Sequence, residues 1–129
     1  RLLLYVRDVM HSGDRIPLVS DTASLREALL EMTGKGLGMT GVLDADGKLA
    51  GIYTDGDRRR TLNKEVDVYN ARISDVMTRG PKTCRADQLA AEIVQFMEQH
   101  NINGLMVVDA DNRVQGALNM QDLLRAGVV

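Results

Sequence analysis

Apolar residues recur at helical spacing in some stretches of the chain and form short unbroken runs in others. Ser24 and Glu27 have the spacing of a capping box at the start of a helix. After Ser24 in the sequence, four apolar residues share one helical face: Leu25, Ala28, Leu29 and Met32. Gly34 marks the predicted end of this helix. A short strand is predicted before the helix at residues 17–19, because proline is tolerated at the first position of a strand.

Two apolar runs behind that helix predict a hairpin of strands. They cover residues 39–43 and 49–54, and the Asp46-Gly47 dipeptide between them is typical of a tight turn. A short polar helix is predicted next, over residues 55–62. The order of elements in the first half of the chain is therefore strand, helix, strand, strand and helix.

The same order returns in the second half. A strand is predicted near residues 82–84 and a helix from about Asp87, with an apolar face made by Leu89, Ile93, Phe96 and Met97. Two further strands and a last helix are predicted at residues 105–108, 114–118 and 120–126. The β-α-β-β-α order, found twice, predicts a mixed α/β (α+β) fold with helices packed on each sheet.

The amino-acid sequence repeats together with this pattern. Residues 44–51 return as residues 109–116 at an offset of 65 (109 − 44 = 65), and residues 8–10 return as 75–77 at an offset of 67. One copy of about 60 residues buries little apolar surface alone, so we expect the two copies to pack about a pseudo-twofold axis. The predicted division is repeat 1 with an N-terminal linker at 1–62, a linker at 63–72 and repeat 2 at 73–129.

Composition narrows the classes of function. The chain of 129 residues is 44% apolar and 26% charged with a net charge of −2, which is typical of soluble globular domains. A phosphate-neutralising nucleic-acid binder would need a basic face. No apolar run approaches the ~20 residues that span a bilayer, and the single cysteine, Cys84, fits a reducing cytoplasm. The chain opens on Arg1 rather than Met, so we expect it to be a fragment of a larger protein.

The most specific local motif is Gly51-Ile52-Tyr53-Thr54-Asp55-Gly56-Asp57, in which Thr-x-x-Asp follows a glycine and two apolar residues. At the junction of a strand and a helix, free backbone N–H groups and the positive helix end favour a phosphate. Asp57 can accept from both hydroxyls of a ribose, and Thr54 can donate to a phosphate or sugar oxygen. Spacing alone favours the structural alternative, in which Thr54 caps the helix and Asp57 complements its positive end.

The motif returns as Gly116-Ala117-Leu118-Asn119-Met120-Gln121-Asp122. Capping would explain either copy alone, whereas the recurrence adds weight to a shared ligand geometry. Asn119 and Asp122 are therefore the matching candidates in the second copy.

Three arginines follow the first motif directly, at positions 58–60. Successive helical residues point about 100° apart, so at most two of them can face a ligand. Arg58 or Arg59 is the candidate for a phosphate contact, and a solvated helix face is the alternative that spacing favours. Three weaker candidates precede the first strand of each copy: Arg15, Arg79 and Lys82.

Other motifs carry less chemistry. Residues 36–41 match G-x-G-x-x-G but follow a predicted helix and enter a strand, the reverse of a dinucleotide fingerprint. Within them, Met39 and Thr40 open a strand beside the expected ligand site. The pair Asp44 and Asp46 fits a hairpin turn better than a calcium loop, and Cys84 fits a buried, inert strand position.

A catalytic constellation is not recognisable. His11 and His100 lack partners at metal-ligand spacing, and no nucleophile, base and orienting group stand together. We therefore predict that the segment is not an enzyme by itself and requires no cofactor or metal.

With the repeat and both junctions in view, the chain resembles a tandem CBS-domain pair, or Bateman module, over essentially its whole length. The resemblance implies two units packed through their sheets, leaving two symmetry-related clefts that take adenosine-type nucleotides. It also implies that Thr54 and Asp57 contact ribose and phosphate. In the second copy Asp122 matches, whereas Asn119 replaces the hydroxyl residue.

A narrower resemblance is to the C-terminal half of bacterial D-arabinose 5-phosphate isomerases. The segments that carry it are residues 2–4, 8–11, 37–40, 54–57 with 59–60, and 122–129. It implies an N-terminal sugar-isomerase domain that interconverts D-ribulose 5-phosphate and D-arabinose 5-phosphate, at the entry to Kdo and lipopolysaccharide. Four positions depart from the expected pattern: Tyr53 from Phe, Arg58 from Leu, and Asn119 and Gln121 from His.

Two functions compete. In the first, the pair binds a nucleotide or sugar-phosphate effector, with CMP-Kdo as the specific candidate and AMP or ATP as the generic ones. In the second, it is a structural and oligomerisation module without a physiological ligand. A homo-oligomer is expected, and neither nucleic acid nor membrane is an expected partner. The candidate ligand-binding residues are Pro17, Met39, Thr40, Thr54, Asp57, Arg58, Thr83, Asn103, Asn119 and Asp122.

Overall fold

The computed structural model describes residues 3–128. Within them, the helices in chain order are α1 Val6–Val9, α2 Leu25–Lys35, α3 Asp55–Asn63, α4 Ile73–Val76, α5 Ala90–His100 and α6 Met120–Arg125. The strands are β1 Leu18–Ser20, β2 Met39–Leu43, β3 Leu49–Thr54, β4 Thr78–Arg79, β5 Thr83–Cys84, β6 Gly104–Val108 and β7 Val114–Asn119. The predicted order of elements is confirmed in both repeats, as β1-α2-β2-β3-α3 and β5-α5-β6-β7-α6.

The described chain folds as two compact units. We name residues 17–81 the first unit, and residues 3–16 together with 82–128 the second unit. The short helix α1 precedes the first repeat along the chain but belongs to the second unit, whereas α4 precedes the second repeat and belongs to the first unit. The packed units therefore differ from the predicted sequence repeats. The segment that precedes each repeat along the chain packs in the unit formed by the other repeat.

The first unit contains a four-stranded sheet in the order β1-β2-β3-β4. Strand β1 runs parallel to β2, and β3 runs antiparallel to both β2 and β4. Because of these directions, the beginnings of β1 and β2 and the end of β3 lie at the same edge of the sheet. Met39, the first residue of β2, is paired there with Thr54, the last residue of β3.

Helix α2 covers this sheet with the predicted apolar face. Leu25, Ala28 and Met32 are buried in one cluster, and Leu29 packs against it. The predicted end at Gly34 is wrong: the helix continues to Lys35 and ends at Gly36. Gly36 has the left-handed φ of 72° that glycine adopts readily, and its N–H donates to the carbonyl of Met32 at 2.9 Å.

The second unit contains a three-stranded sheet in the order β5-β6-β7, with β5 parallel to β6 and β7 antiparallel to β6. Helix α5 begins at Ala90 and not near Asp87 as predicted. The reason is that Leu89 remains extended (φ −70°, ψ 135°) and forms an antiparallel bridge with Tyr5. Of the predicted face, Ile93 and Met97 are buried, and Phe96 packs against the same core.

Cys84 lies in that core with 2% of its surface exposed. Burial raises the pKa of its thiol from 9.0 to about 12, because an apolar environment disfavours the thiolate. The prediction of a buried strand cysteine is confirmed, and at neutral pH the side chain is a thiol, the less reactive form.

The hairpin turn predicted at Asp46-Gly47 is confirmed, and the second repeat contains an equivalent turn. The Asp44 carboxylate accepts the N–H groups of Asp46 and Lys48 at 2.9 and 3.0 Å, and Asp109 does the same at the repeated turn. Each carboxylate thus holds its own turn together. None of the helices within residues 3–128 has the length and apolar character needed to cross a membrane.

Candidate functional site

The edge where β1, β2 and β3 meet brings the first-repeat candidates together. Pro17 precedes β1, and its carbonyl accepts the N–H of Gly41 at 3.0 Å. Met39 and Thr40 are buried, and the Thr40 hydroxyl donates to the Gly41 carbonyl at 3.1 Å. At the end of β3, Thr54 leads directly into α3. The Asp57 carboxylate follows three residues after Thr54, in the first turn of α3.

Thr54 and Asp57 cap helix α3 reciprocally. The Thr54 hydroxyl oxygen accepts the N–H of Asp57 at 3.2 Å, and the Asp57 oxygen Oδ2 accepts the N–H of Thr54 at 3.0 Å. This is a capping box, so the geometry of the structural alternative is present. The Thr54 hydroxyl also lies 3.1 Å from Oδ2 as a donor, and Asp57 is only 6% exposed.

The second carboxylate oxygen of Asp57 holds two further donors. Oδ1 accepts the Thr78 hydroxyl at 3.0 Å and the Arg60 guanidinium at 2.6 Å. Thr78 lies on β4, so the segment that leads into the second repeat along the chain completes the junction of the first. Sequence reasoning missed both residues as parts of the site.

The second unit contains an equivalent junction. Thr83 opens β5, Asn103 precedes β6, and Asn119 ends β7 at the same edge, where the Asn103 carbonyl accepts the N–H of Met120 at 3.0 Å. The Asn119 side chain accepts the N–H of Asp122 at 2.9 Å and so caps α6 as Thr54 caps α3. Asparagine is as good a helix cap as threonine, which explains why the exchange preserves the local fold.

His11 occupies in the second unit the place that Thr78 has in the first. Its Nε2 lies 2.9 Å from the Oδ1 atom of Asp122, which is 6% exposed and also accepts Arg125 at 3.2 Å. The sequence contained the signal: the Asp-Val-Met repeat at offset 67 continues by one residue, to His11 and Thr78 (78 − 11 = 67). The carboxylate of the second junction therefore contacts an imidazole, whereas that of the first accepts a hydroxyl.

The glycine that opens each motif is required by close packing. A Cβ atom on Gly51 would lie 2.5 Å from the Met77 sulfur and 2.9 Å from the Thr78 carbonyl oxygen. A Cβ atom on Gly116 would lie 2.9 Å from the His11 carbonyl oxygen and would also meet the Met10 sulfur. Because these glycines have no side chain, the segments that carry Thr78 and His11 can pack closely enough to contact the carboxylates.

Behind the first junction, a buried hydroxyl chain fixes the start of α3. The Tyr53 hydroxyl donates to Thr61 at 2.8 Å, and the Thr61 hydroxyl donates to the Asp57 carbonyl at 2.8 Å. Burial raises the pKa of Tyr53, so the phenol remains a donor at neutral pH. Tyrosine in place of the expected phenylalanine is therefore accommodated by Thr61.

The three adjacent arginines differ in how they relate to the junction. Arg58 and Arg59 are exposed on α3, whereas Arg60 reaches back to Asp57. Arg79 lies beside Thr78 on β4 but donates to the Ser74 carbonyl at 3.2 Å. The residue whose guanidinium lies at the junction is thus Arg60, which sequence reasoning did not select.

The fold matches solved CBS-domain structures over almost the whole chain. The CBS pair of protein MJ0100, solved with 5′-methylthioadenosine and S-adenosyl-L-methionine, has a TM-score of 0.86 at 25% identity, covering 98% of this chain and 97% of that one. CBSX2 in complex with AMP has a TM-score of 0.80 at 23% identity, covering 96% of each chain. PAE2072 from Pyrobaculum aerophilum, complexed with AMP, has a TM-score of 0.83 at 18% identity, with coverages of 93% and 90%.

The sequence matches named relatives over its full length. It is 60% identical to the arabinose 5-phosphate isomerase KdsD of Pseudomonas aeruginosa and 51% identical to that of Escherichia coli K12, in each case over all 129 residues. These residues correspond to the C-terminal part of the relative. The chain spans about two fifths of the length of these curated relatives, 40% and 39% respectively.

The CBS domain family model matches residues 6–64 and again residues 73–129. The two matches follow the two repeats, and each contains one of the capped junctions. The chain therefore belongs to the CBS domain family, with two copies in tandem.

Proposed function

We propose that this CBS pair is the regulatory, ligand-binding part of a D-arabinose 5-phosphate isomerase, and that it binds a phosphorylated ribonucleoside through Thr54 and Asp57. The observation that carries the proposal is a buried carboxylate at a strand-to-helix junction, present in both repeats. Buried carboxylates remain in folds when they are hydrogen-bonded or functional. The candidate residues of the second repeat extend the proposal to Asn119 and Asp122.

The chemistry of the junction suits a ribonucleotide. A carboxylate accepts hydroxyl donors, and the N-terminal end of α3, which is nine residues long, favours an anion. Solved CBS proteins with AMP, or with 5′-methylthioadenosine and S-adenosyl-L-methionine, support a ligand of the adenosine class. Relatives named as arabinose 5-phosphate isomerases support the wider role.

CMP-Kdo is the specific effector that we propose. It is the activated end product of the pathway that the isomerase enters, so its binding would report that Kdo is abundant. It offers a ribose to Asp57, a phosphate to Thr54 and the helix end, and a carboxylate to an arginine. AMP and ATP are the generic candidates, and the effector would act on an N-terminal sugar-isomerase domain of the same polypeptide in a cytoplasmic homo-oligomer.

A thermal-shift series with CMP-Kdo, CMP, AMP and ATP tests the proposal. A ligand at 100 times its dissociation constant should stabilise the protein by ~2.7 kcal/mol, and we expect the Asp57→Asn variant to lose that shift. Asp46→Asn is the matched control, because Asp46 is exposed in a hairpin turn. A ligand shift of equal size in wild type and Asp57→Asn, or no shift with any nucleotide, contradicts the proposal.

The alternative, a structural and oligomerisation module, is favoured by one observation. Four donors of the chain reach Asp57, so the cap and its neighbouring contacts satisfy the buried carboxylate. Under this alternative no nucleotide shifts the melting temperature, and deleting these residues from the parent enzyme changes its oligomeric mass. The thermal-shift series therefore separates the two functions.

A further inference from the structure

The Asp57 carboxylate has its acceptor positions filled by the protein. A carboxylate offers about four lone-pair positions, and four donors reach Asp57: the N–H and the hydroxyl of Thr54 at Oδ2, and the Thr78 hydroxyl and the Arg60 guanidinium at Oδ1. A ribose hydroxyl can therefore bind Asp57 only if one of these donors leaves.

Arg60 is the donor that can leave with the smallest loss. The Thr54 donors form the helix cap, and Thr78 lies on a strand paired with β3. The Arg60 side chain is instead 66% exposed, so water can solvate its guanidinium once it has been displaced. Asp57 itself is buried, but it keeps three other donors when Arg60 leaves, so its charge remains hydrogen-bonded.

The Arg60 guanidinium lies beside the first turn of α3. Both terminal nitrogens lie 3.6 Å from the point where a Cβ atom of Gly56 would be, in the first turn of α3. A cation at the N-terminal end of a helix is repelled by the helix dipole, so Asp57 holds Arg60 in an otherwise unfavourable place. The same i,i+3 pair recurs as Asp122 and Arg125, and the repeat therefore retains it.

We propose, on the basis of the proposed function, that Arg60 selects phosphorylated ligands over bare nucleosides. Its guanidinium lies on Oδ1 of Asp57, where the proposed ribose hydroxyl would bind, so that hydroxyl must displace it. A nucleoside offers the displaced guanidinium no new partner. A nucleotide offers its phosphate, which guanidinium groups bind in a charge-assisted and often bidentate manner.

Calorimetric titration with adenosine and with AMP tests this selection. We expect wild type to bind AMP at least about tenfold more tightly than adenosine, which is the scale of one charge-assisted hydrogen bond. In Arg60→Met, adenosine should bind about two- to fivefold more tightly because its competitor is gone. AMP should bind about tenfold more weakly because its phosphate loses a partner.

Two further variants make the outcome decisive. Arg26→Met removes an equivalent charge from an exposed position on α2 and should leave both affinities unchanged. If Arg60→Met leaves the AMP-to-adenosine ratio unaltered, or if Arg58→Met alone reduces it, the assignment to Arg60 is wrong and the nucleotide site stands. If neither adenosine nor AMP binds wild type, the selection by Arg60 is wrong, whereas the proposed function is decided separately by the thermal-shift series that includes CMP-Kdo.

Discussion

The Ile73→Ala variant should lose about 2–5 kcal/mol of its free energy of unfolding, the usual range for truncating a buried isoleucine. Ile73 is fully buried in the core of the first unit, with Leu25, Ala28 and Tyr53. Its N–H also donates to the Ala23 carbonyl at 3.0 Å, which ties α4 to the start of α2. Urea unfolding followed by circular dichroism measures the loss.

The position of the damage matters as much as its size. Although Ile73 opens the second repeat in sequence, hydrogen exchange should quicken in α2 and β3, because its contacts belong to the first unit. The matched control is Leu62→Ala, since Leu62 is 62% exposed and such surface changes stay within about 0.5 kcal/mol. Loss of protection confined to α5 and β7 would contradict the assignment of α4 to the first unit.

Gly116→Ala should destabilise the protein by about 1–3 kcal/mol, the range found when an extra methyl group is forced into a packed interior. The added Cβ would lie 2.9 Å from the His11 carbonyl oxygen, and a backbone atom cannot move aside cheaply. The segment that carries His11 pairs with Ala117 through two backbone hydrogen bonds of 2.8 and 3.0 Å, which would have to stretch. Thermal and urea denaturation measure this cost.

Gly34→Ala is the control of opposite sign. Gly34 lies inside α2 with a negative φ, and no atom beyond its chain neighbours and the adjacent backbone of its own helix lies within 4 Å of its prospective Cβ. Alanine there should stabilise by about 0.5–1 kcal/mol, because glycine is a poor helix former. Gly51→Ala should behave as Gly116→Ala does, through Met77 and Thr78. If all three variants change stability equally, close packing does not explain the motif glycines.

Most of the fold could be predicted from sequence because its signals are local and occur twice. The first hairpin follows from the Asp-Gly turn between two apolar runs, and the second follows from the repeat. Each strand-to-helix junction follows from its capping residues. Two predicted helix ends, at Gly34 and at Asp87, are wrong, and the short elements α1, α4 and β4 were not predicted. One helix extends to the next glycine, and the other is delayed because Leu89 is held extended by Tyr5.

Which segments belong to which unit could not be predicted in the same way. Nothing local in residues 5–11 or 72–78 says which repeat they pack against, since that choice depends on contacts far along the chain. For the same reason Thr78 and His11 were missed as partners of Asp57 and Asp122. Arg60 was missed because three adjacent arginines look alike in sequence, and only the i,i+3 geometry of the helix selects one of them.

The central proposal is that the Asp57 carboxylate accepts hydrogen bonds from the hydroxyls of a ribose. Its most direct test is a calorimetric comparison of AMP with 2′,3′-dideoxy-AMP, in wild type and in Asp57→Asn. We expect wild type to prefer AMP by about ten- to a hundredfold, the worth of hydrogen bonds to a charged acceptor, and Asp57→Asn to retain almost none of that preference. Equal binding of the two compounds to wild type, or a preference that survives in Asp57→Asn, would contradict it.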